Sequence, residues 1–282
     1  MNLTPQDLIT GRCELPSLPE IYQKISQVAA EPYSSAEDLA RLVATDPSLS
    51  TRLLGLVNSA FYNFPMPIES LGHAVTLLGL SKLRQLVLAT SIVQSFSTLL
   101  NPLIDMRTFW SQSLSSALLA RHFATQNGAS MLRDELFTAA LIRDIGSLVL
   151  YYRLPELARA ALLQAEQEAI APVEAERAVL GFDHTDISHA IAQRWHLSGR
   201  QRTTMAYHHW PGEAKEYSHE VWLIHLADKI NTHAPRSWDA DSIRRQLPPD
   251  IWRQAAVDPT VLEEVVSSAS QEYEEALRFI LG

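Results

Sequence analysis

Seven polar side chains fall on or beside otherwise apolar helical runs, and their types suit cation chemistry. Arg143-Asp144 interrupts Leu136 to Tyr152, and His184 opens the run through Ile187, Ile191 and Trp195. His208-His209 precede Trp210-Pro211, and His225 and Asp228 sit three apart among Val221, Ile224, Ala227 and Ile230. Carboxylates are seldom buried unless paired or metal-bound. Taken singly, each of these residues reads as structural: a core histidine with its hydrogen bonds satisfied, or an aspartate that caps or pairs. Taken together, two aspartates and several imidazoles would suit a hard or borderline cation. Arg143 cannot ligate one, because a guanidinium stays protonated in proteins. The spacings are too wide to be specific alone.

The elements that must position these groups read as helices throughout. Glycine is scarce, at 10, and alternating apolar strands are missing. Ser35 precedes Asp38 in a capping-box layout, Asp46-Pro47 is an N-cap followed by a first-turn proline, and Ser70 can cap a helix that Gly79 ends. Met106 to Asn127 reads as one long helix closed by Gly128. Phe61 to Pro67 is an aromatic and proline loop, read either as an exposed contact or as a loop tucked between helices. Asn101-Pro102 marks a subdomain boundary. The helix after Asp258-Pro259 carries Val261, Leu262, Val265, Ala269, Tyr273, Ala276, Leu277 and Ile280 at helical spacing. Its acidic outer face is read as Glu263, Glu264, Glu272, Glu274 and Glu275.

Bulk properties narrow the class. A chain of 282 residues can bury a real core, and 46% hydrophobic with 20% charged residues is ordinary globular composition. The net charge of −9 argues against general nucleic-acid binding and against an anionic membrane surface. A single cysteine, Cys13, excludes an intramolecular disulfide and fits a reducing compartment. With no basic-then-apolar leader and no long uninterrupted apolar run, the expected location is cytoplasmic.

Ordered motifs then carry a resemblance. Asp144-Ile145-Gly146, the GFDH run ending at His184, Tyr207-His208-His209 and the run Ile224 to Asp228 together resemble the HD superfamily of metal-dependent phosphohydrolases. The stretches LPSLPEIYQKI, DPSLSTRLLGLVNSAFYNFP and IESLGHAVTLLGLSKLRQLVLATS resemble the start of an HDOD domain, the HD-related output domain of bacterial signalling proteins. The resemblance covers roughly residues 12 to 235. It implies an all-α, multi-helix bundle: an N-terminal helical subdomain (1–102) packed on an HD-like helical core (103–235), with a C-terminal helical extension (236–282), a single module overall.

Carried over residue by residue, the resemblance implies a degenerate pocket. Gln112 stands where catalytic relatives have a first ligand histidine, and Arg143 where they have the histidine of the His-Asp pair. Asp144 and Asp228 keep their places. His184 and either His208 or His209 match histidines of two-metal versions. Both missing core ligands are imidazoles, so no catalytic residue and no cofactor is expected. The guanidinium of Arg143 either stands in for the cation, binding Asp144 or Asp228, or points to solvent.

The expected function is therefore a non-catalytic bacterial signal-transduction module acting through protein–protein interaction. Its partners would be signalling proteins in trans, since the motifs begin near residue 12 with no fused receiver or effector. Two alternatives remain. One is a phosphohydrolase or phosphodiesterase acting on a nucleotide or cyclic dinucleotide, with Mg, Mn, Fe or Zn on Asp144, His184, His208, His209 and Asp228. The other is a phosphate-ligand sensor built on Arg143 with Lys82 and Arg84.

Overall fold

The computed structural model describes residues 3–10, 19–31, 33–97, 103–233 and 239–281. Cys13, the Asn101-Pro102 break and the boundaries drawn at 102 and 235 lie outside them. Among the described residues there is no strand. The α-helices are α1 (Pro5–Thr10), α2 (Glu20–Ala30), α3 (Ala36–Val43), α4 (Pro47–Val57), α5 (Leu71–Leu78) and α6 (Leu80–Ser97). There follow α7 (Met106–Gln126), α8 (Arg133–Ile142), α9 (Ile145–Arg153), α10 (Pro155–Glu168), α11 (Pro172–Leu180) and α12 (His184–Arg194). The last are α13 (Gly199–Tyr207), α14 (Ser218–His233), α15 (Ala240–Gln246), α16 (Pro249–Gln254) and α17 (Leu262–Leu281). No single helix among the described residues is long and apolar enough to cross a membrane.

Local chemistry starts and stops these helices. The Ser35 hydroxyl accepts from Asp38 N while the Asp38 carboxylate accepts from Ser35 N, closing a capping box. Asp46 and Ser70 accept from the N–H groups of Leu49 and His73. Gly79, at φ 84°, turns the chain by 117° between α5 and α6.

One buried apolar cluster runs from Leu8 on α1 to Ile280 on α17. The centre is α7 and α8, flanked by α6, α14 and α17. The edge-on contact of Phe96 with Trp195, centroids 6.2 Å apart, ties α6 to the end of α12. The hairpin α10–α11 keeps a small separate core of Ala161, Ala165 and Ala175.

Two expectations are corrected. The run Leu136 to Tyr152 is two helices, broken at Arg143-Asp144, where Asp144 O accepts from Ser147 N at 2.9 Å. The acidic face of α17 is also narrower than read. Glu263, Glu264 and Glu274 are exposed, but Glu272 is buried and accepts from Arg121 Nη1 through both oxygens, at 3.0 and 3.2 Å. Glu275 accepts from Ala60 N at 2.7 Å. Helical spacing places both at the rim of the apolar stripe; Arg121 draws Glu272 inward, and the Ala60 N–H holds Glu275.

The aromatic loop is tucked rather than displayed. Phe61 is buried, Tyr62 and Phe64 are half-buried, and Met66 is the large apolar side chain left in solvent. The Arg121 guanidinium lies 3.8 Å from the Phe61 ring centroid and donates to Phe61 O at 2.7 Å. Arg121 therefore joins this loop, α7 and α17. Glu272→Ala leaves that guanidinium buried with only the longer contact of its Nε to Asp134, at 3.6 Å, and should lower stability by about 3–5 kcal/mol in urea denaturation. A loss under ~1 kcal/mol would mean that apolar contact alone docks α17.

Candidate functional site

The break between α8 and α9 lets two consecutive side chains enter one pocket. Arg143 ends α8 and is buried, and Asp144 opens α9 but makes no capping hydrogen bond there. Arg143 Nη2 donates to Asp228 Oδ1 at 2.5 Å and lies 3.1 Å from Asp144 Oδ2. Its Nη1 donates to Ala140 O at 2.7 Å. The guanidinium thus lies against both carboxylates, and the solvent-facing alternative is not what the fold adopts.

The other oxygen of Asp144 meets the imidazoles. His208 Nε2 is 2.9 Å and His184 Nε2 is 3.5 Å from Asp144 Oδ1. His209 Nε2 is 3.1 Å from His184 Nε2, and His209 Nδ1 is 3.9 Å from Asp228 Oδ2. The pair at 208–209 need not be divided, because both rings enter. Each ring of His184 and His208 is aimed by a partner behind it. His184 Nδ1 is 2.6 Å from Glu176 Oε2, which also accepts from His184 N at 2.9 Å. His208 Nδ1 is 3.1 Å from Met205 O. A carbonyl and a carboxylate only accept, so each Nδ1 carries a proton and each Nε2 faces Asp144.

Charge balance follows from these contacts. Asp144, Asp228 and Glu176 are three carboxylates, and Arg143 supplies one fixed cation. Two further positive charges are needed, as two imidazolium rings or one divalent cation. The group directions agree. Burial opposes its ionisation, but the Arg143 charge with hydrogen bonds from His184 and His208 holds Asp144 well below the usual carboxylate range. Burial opposes a charged His184, but Glu176 and Asp144 raise it well above an ordinary histidine. Burial and the charges of His208 and His184 push His209 well down.

The donors present fit one metal ion. One ligand atom from each of Asp144, His184, His208 and His209 lies within 4.8 Å of the others. Imidazoles backed through Nδ1 are the usual presentation of a metal-binding histidine. A second ion bridging Asp144 and Asp228 does not fit, because Arg143 holds both carboxylates.

The remaining expected residues are placed as follows. Gln112 is exposed on α7, where its backbone O accepts from Asn231 Nδ2 at 3.1 Å, and no described contact joins its side chain to the pocket. Lys82 turns to Asp134, 3.9 Å away, while the Arg143 guanidinium is held by Asp228, Asp144 and Ala140. His225 is not in the cluster. Its Nδ1 donates to His208 O at 2.6 Å, and burial pushes it down to about 4.

Sequence reasoning did not find Glu176, Ser188 or the purpose of Gly146. Ser188 Oγ donates to Arg143 O at 2.7 Å and accepts from Gly146 N at 2.9 Å, stitching α12 to the break. A Cβ on Gly146 would stand 2.0 Å from His184 O and 2.7 Å from Ser188 N. A glycine inside an apolar helical run was the available signal for close backbone approach. Nothing comparable marked Glu176, eight residues before its histidine.

The sequence matches the HDOD domain family over residues 15–211. An uncharacterized protein of Treponema pallidum (strain Nichols) is 27% identical over 220 residues, 76% of this chain. The match spans only 42% of that relative's length. Among solved structures, an HDOD domain protein of unknown function from Geobacter sulfurreducens superimposes with a TM-score of 0.78 at 25% identity, covering 97% of this chain and 95% of the other. A provisionally named phosphohydrolase from Shewanella amazonensis SB2B has the same TM-score at 23% identity, with 98% of each chain covered. These structures share the all-helical fold.

Gly146→Ala forces α9 away from α12 and should cost about 1–3 kcal/mol in chemical denaturation. The double variant with Ser188→Ala should lose little more than Gly146→Ala alone, because both changes break the same α9–α12 contact. Full additivity of the two losses would place the strain elsewhere.

Proposed function

We propose that this chain, which belongs to the HDOD domain family, is a bacterial, cytoplasmic signal-transduction module that works through protein–protein contacts and not through hydrolysis. One observation carries the reading: the buried Arg143 guanidinium contacts Asp228 at 2.5 Å and Asp144 at 3.1 Å, where a second metal ion would have to bridge them. Its charge is permanent and its donors are fixed in a plane, so the carboxylates stay paired whatever the metal supply. A hydrolytic ion also needs an open position for water. Asp144, His184, His208 and His209 together would close a four-ligand shell, which is the character of a structural site.

The same cluster favours a second reading of the cofactor alone. One divalent ion, held by those four residues, would supply the two positive charges that the carboxylates require. Three imidazoles suit zinc or iron better than magnesium. In that case the ion would stiffen the junction of α9, α12 and α13 and the chain would still be an interaction module. Its partners would be signalling proteins, recognised by the helical surface. The α10–α11 hairpin, which leaves Leu157 and Leu163 exposed, is one surface open to them.

Elemental analysis of protein purified without chelator, followed by phosphodiesterase assays with added manganese, tests this. At most one equivalent of metal and no turnover are expected on a cyclic dinucleotide or on an activated phosphodiester. Arg143→His should gain metal, because it replaces a cation by a ligand. Two equivalents in the wild type, with turnover abolished by Asp144→Ala, would overturn the non-catalytic reading in favour of a metal-dependent phosphodiesterase.

A further inference from the structure

A second cavity, of about 350 Å³, opens where the Phe61–Tyr62 turn, α7, the start of α8 and α17 meet. Its lining includes Tyr62, Asn63, Arg121, His122, Arg133 and Glu272. That volume falls within the range of small-molecule sites. None of these residues belongs to the Arg143 pocket.

The charged groups here are unevenly matched. Arg121 is fully engaged at both terminal nitrogens, by Glu272 and Phe61 O. Asp134 is shared among Arg121 Nε at 3.6 Å, Arg133 Nε at 3.8 Å and Lys82 Nζ at 3.9 Å, and it accepts from the Tyr62 hydroxyl at 3.3 Å. Three fixed cations therefore face two carboxylates, Asp134 and Glu272. His122 Nε2, 3.1 Å from Glu272 Oε1, is a further claimant on Glu272. A third carboxylate, Glu275, accepts from the Ala60 N–H at 2.7 Å and keeps its charge close by.

Arg133 is the cavity-lining guanidinium with donors to spare. Its contact with Asp134 is longer than a hydrogen bond, and among the described residues no hydrogen bond reaches its guanidinium. It is half-buried and lines the cavity. The lining itself holds two guanidiniums, Arg121 and Arg133, against one carboxylate, Glu272, a local positive excess in a chain of net charge −9 and a focus for anions.

We infer that this cavity binds a small organic anion, with a carboxylate or phosphate group received by the Arg133 guanidinium. A planar fork with free donors matches either group through two parallel hydrogen bonds. The walls formed by Tyr62, Asn63 and His122 contact the body of the ligand. Because Glu272 brings α17 to the same cavity, occupancy stabilises the docked position of that helix.

The test uses the full chain titrated with inorganic phosphate and with acetate, against chloride at matched ionic strength. Thermal unfolding and the Arg133 Nε–H resonance are the readouts. One of the two anions should raise Tm in a concentration-dependent way beyond chloride and shift the Arg133 resonance; which one does so identifies the group recognised. Arg133→Gln should weaken that binding roughly tenfold or more, and Arg133→Lys should restore part of it. An anion response equal in wild type and Arg133→Gln, or no response beyond chloride with the Arg133 resonance unmoved, would overturn the assignment. Neither result depends on the metal content or activity of the Arg143 pocket.

Discussion

Three carboxylates brought together in a pocket that largely excludes water set the terms for the rest of this structure. Asp144, Asp228 and Glu176 cannot remain ionised there without compensating charge, since their mutual repulsion is weakly screened at low dielectric. Arg143 answers for two of them with one guanidinium, and the imidazoles of His184 and His208 stand between Asp144 and the protons or cation that complete the balance. The helix break at Arg143-Asp144 is part of the same arrangement. In a continuous helix, neighbouring side chains point about 100° apart. Ending α8 at one residue and starting α9 after the next brings both into a single pocket.

Backbone proximity makes that pocket rigid. The amide of Gly146 and the carbonyl of Arg143 are both bound by one hydroxyl, Ser188 Oγ, so α12 lies against the break at a distance that a Cβ would forbid. His184 is thereby placed by the same contact that places Asp144. Its ring is aimed from behind by Glu176 on α11, and the His208 backbone is held by His225 on α14. Five helices and the turn after α13 converge on this polar cluster. The surrounding core supplies the free energy, and the polar atoms supply the geometry.

Arg121 organises a second buried ionic centre with a different logic. It joins the Phe61 turn, α7 and α17, and it lies outside the cluster of Asp144 and the histidines altogether. The C-terminal helix, beyond the stretch that matches the family, is therefore built into the core: Leu262, Val265, Ala269, Ala276 and Ile280 are buried along its stripe while Glu272 is held inside. The ionic contact selects one register of that helix, since apolar burial by itself tolerates sliding.

The residue order alone determined the all-helical class and most helix ends, and its ordered motifs named Arg143, Asp144, His184, Asp228 and one of His208 and His209 as pocket candidates, with Gln112 beside them. These follow from local physics and ordered motifs: side-chain caps such as Ser35, Asp46 and Ser70 act within four residues, and apolar spacing repeats within one helix. Tertiary structure decided what depends on distance between helices. It turned Arg143 inward, admitted both histidines of the 208–209 pair, left Gln112 at the surface and drew Glu272 from the outer face into the core. It also recruited Glu176, whose role no spacing announced. A side chain's partner on another helix is set by packing angle and separation, and neither is written in the periodicity of either helix.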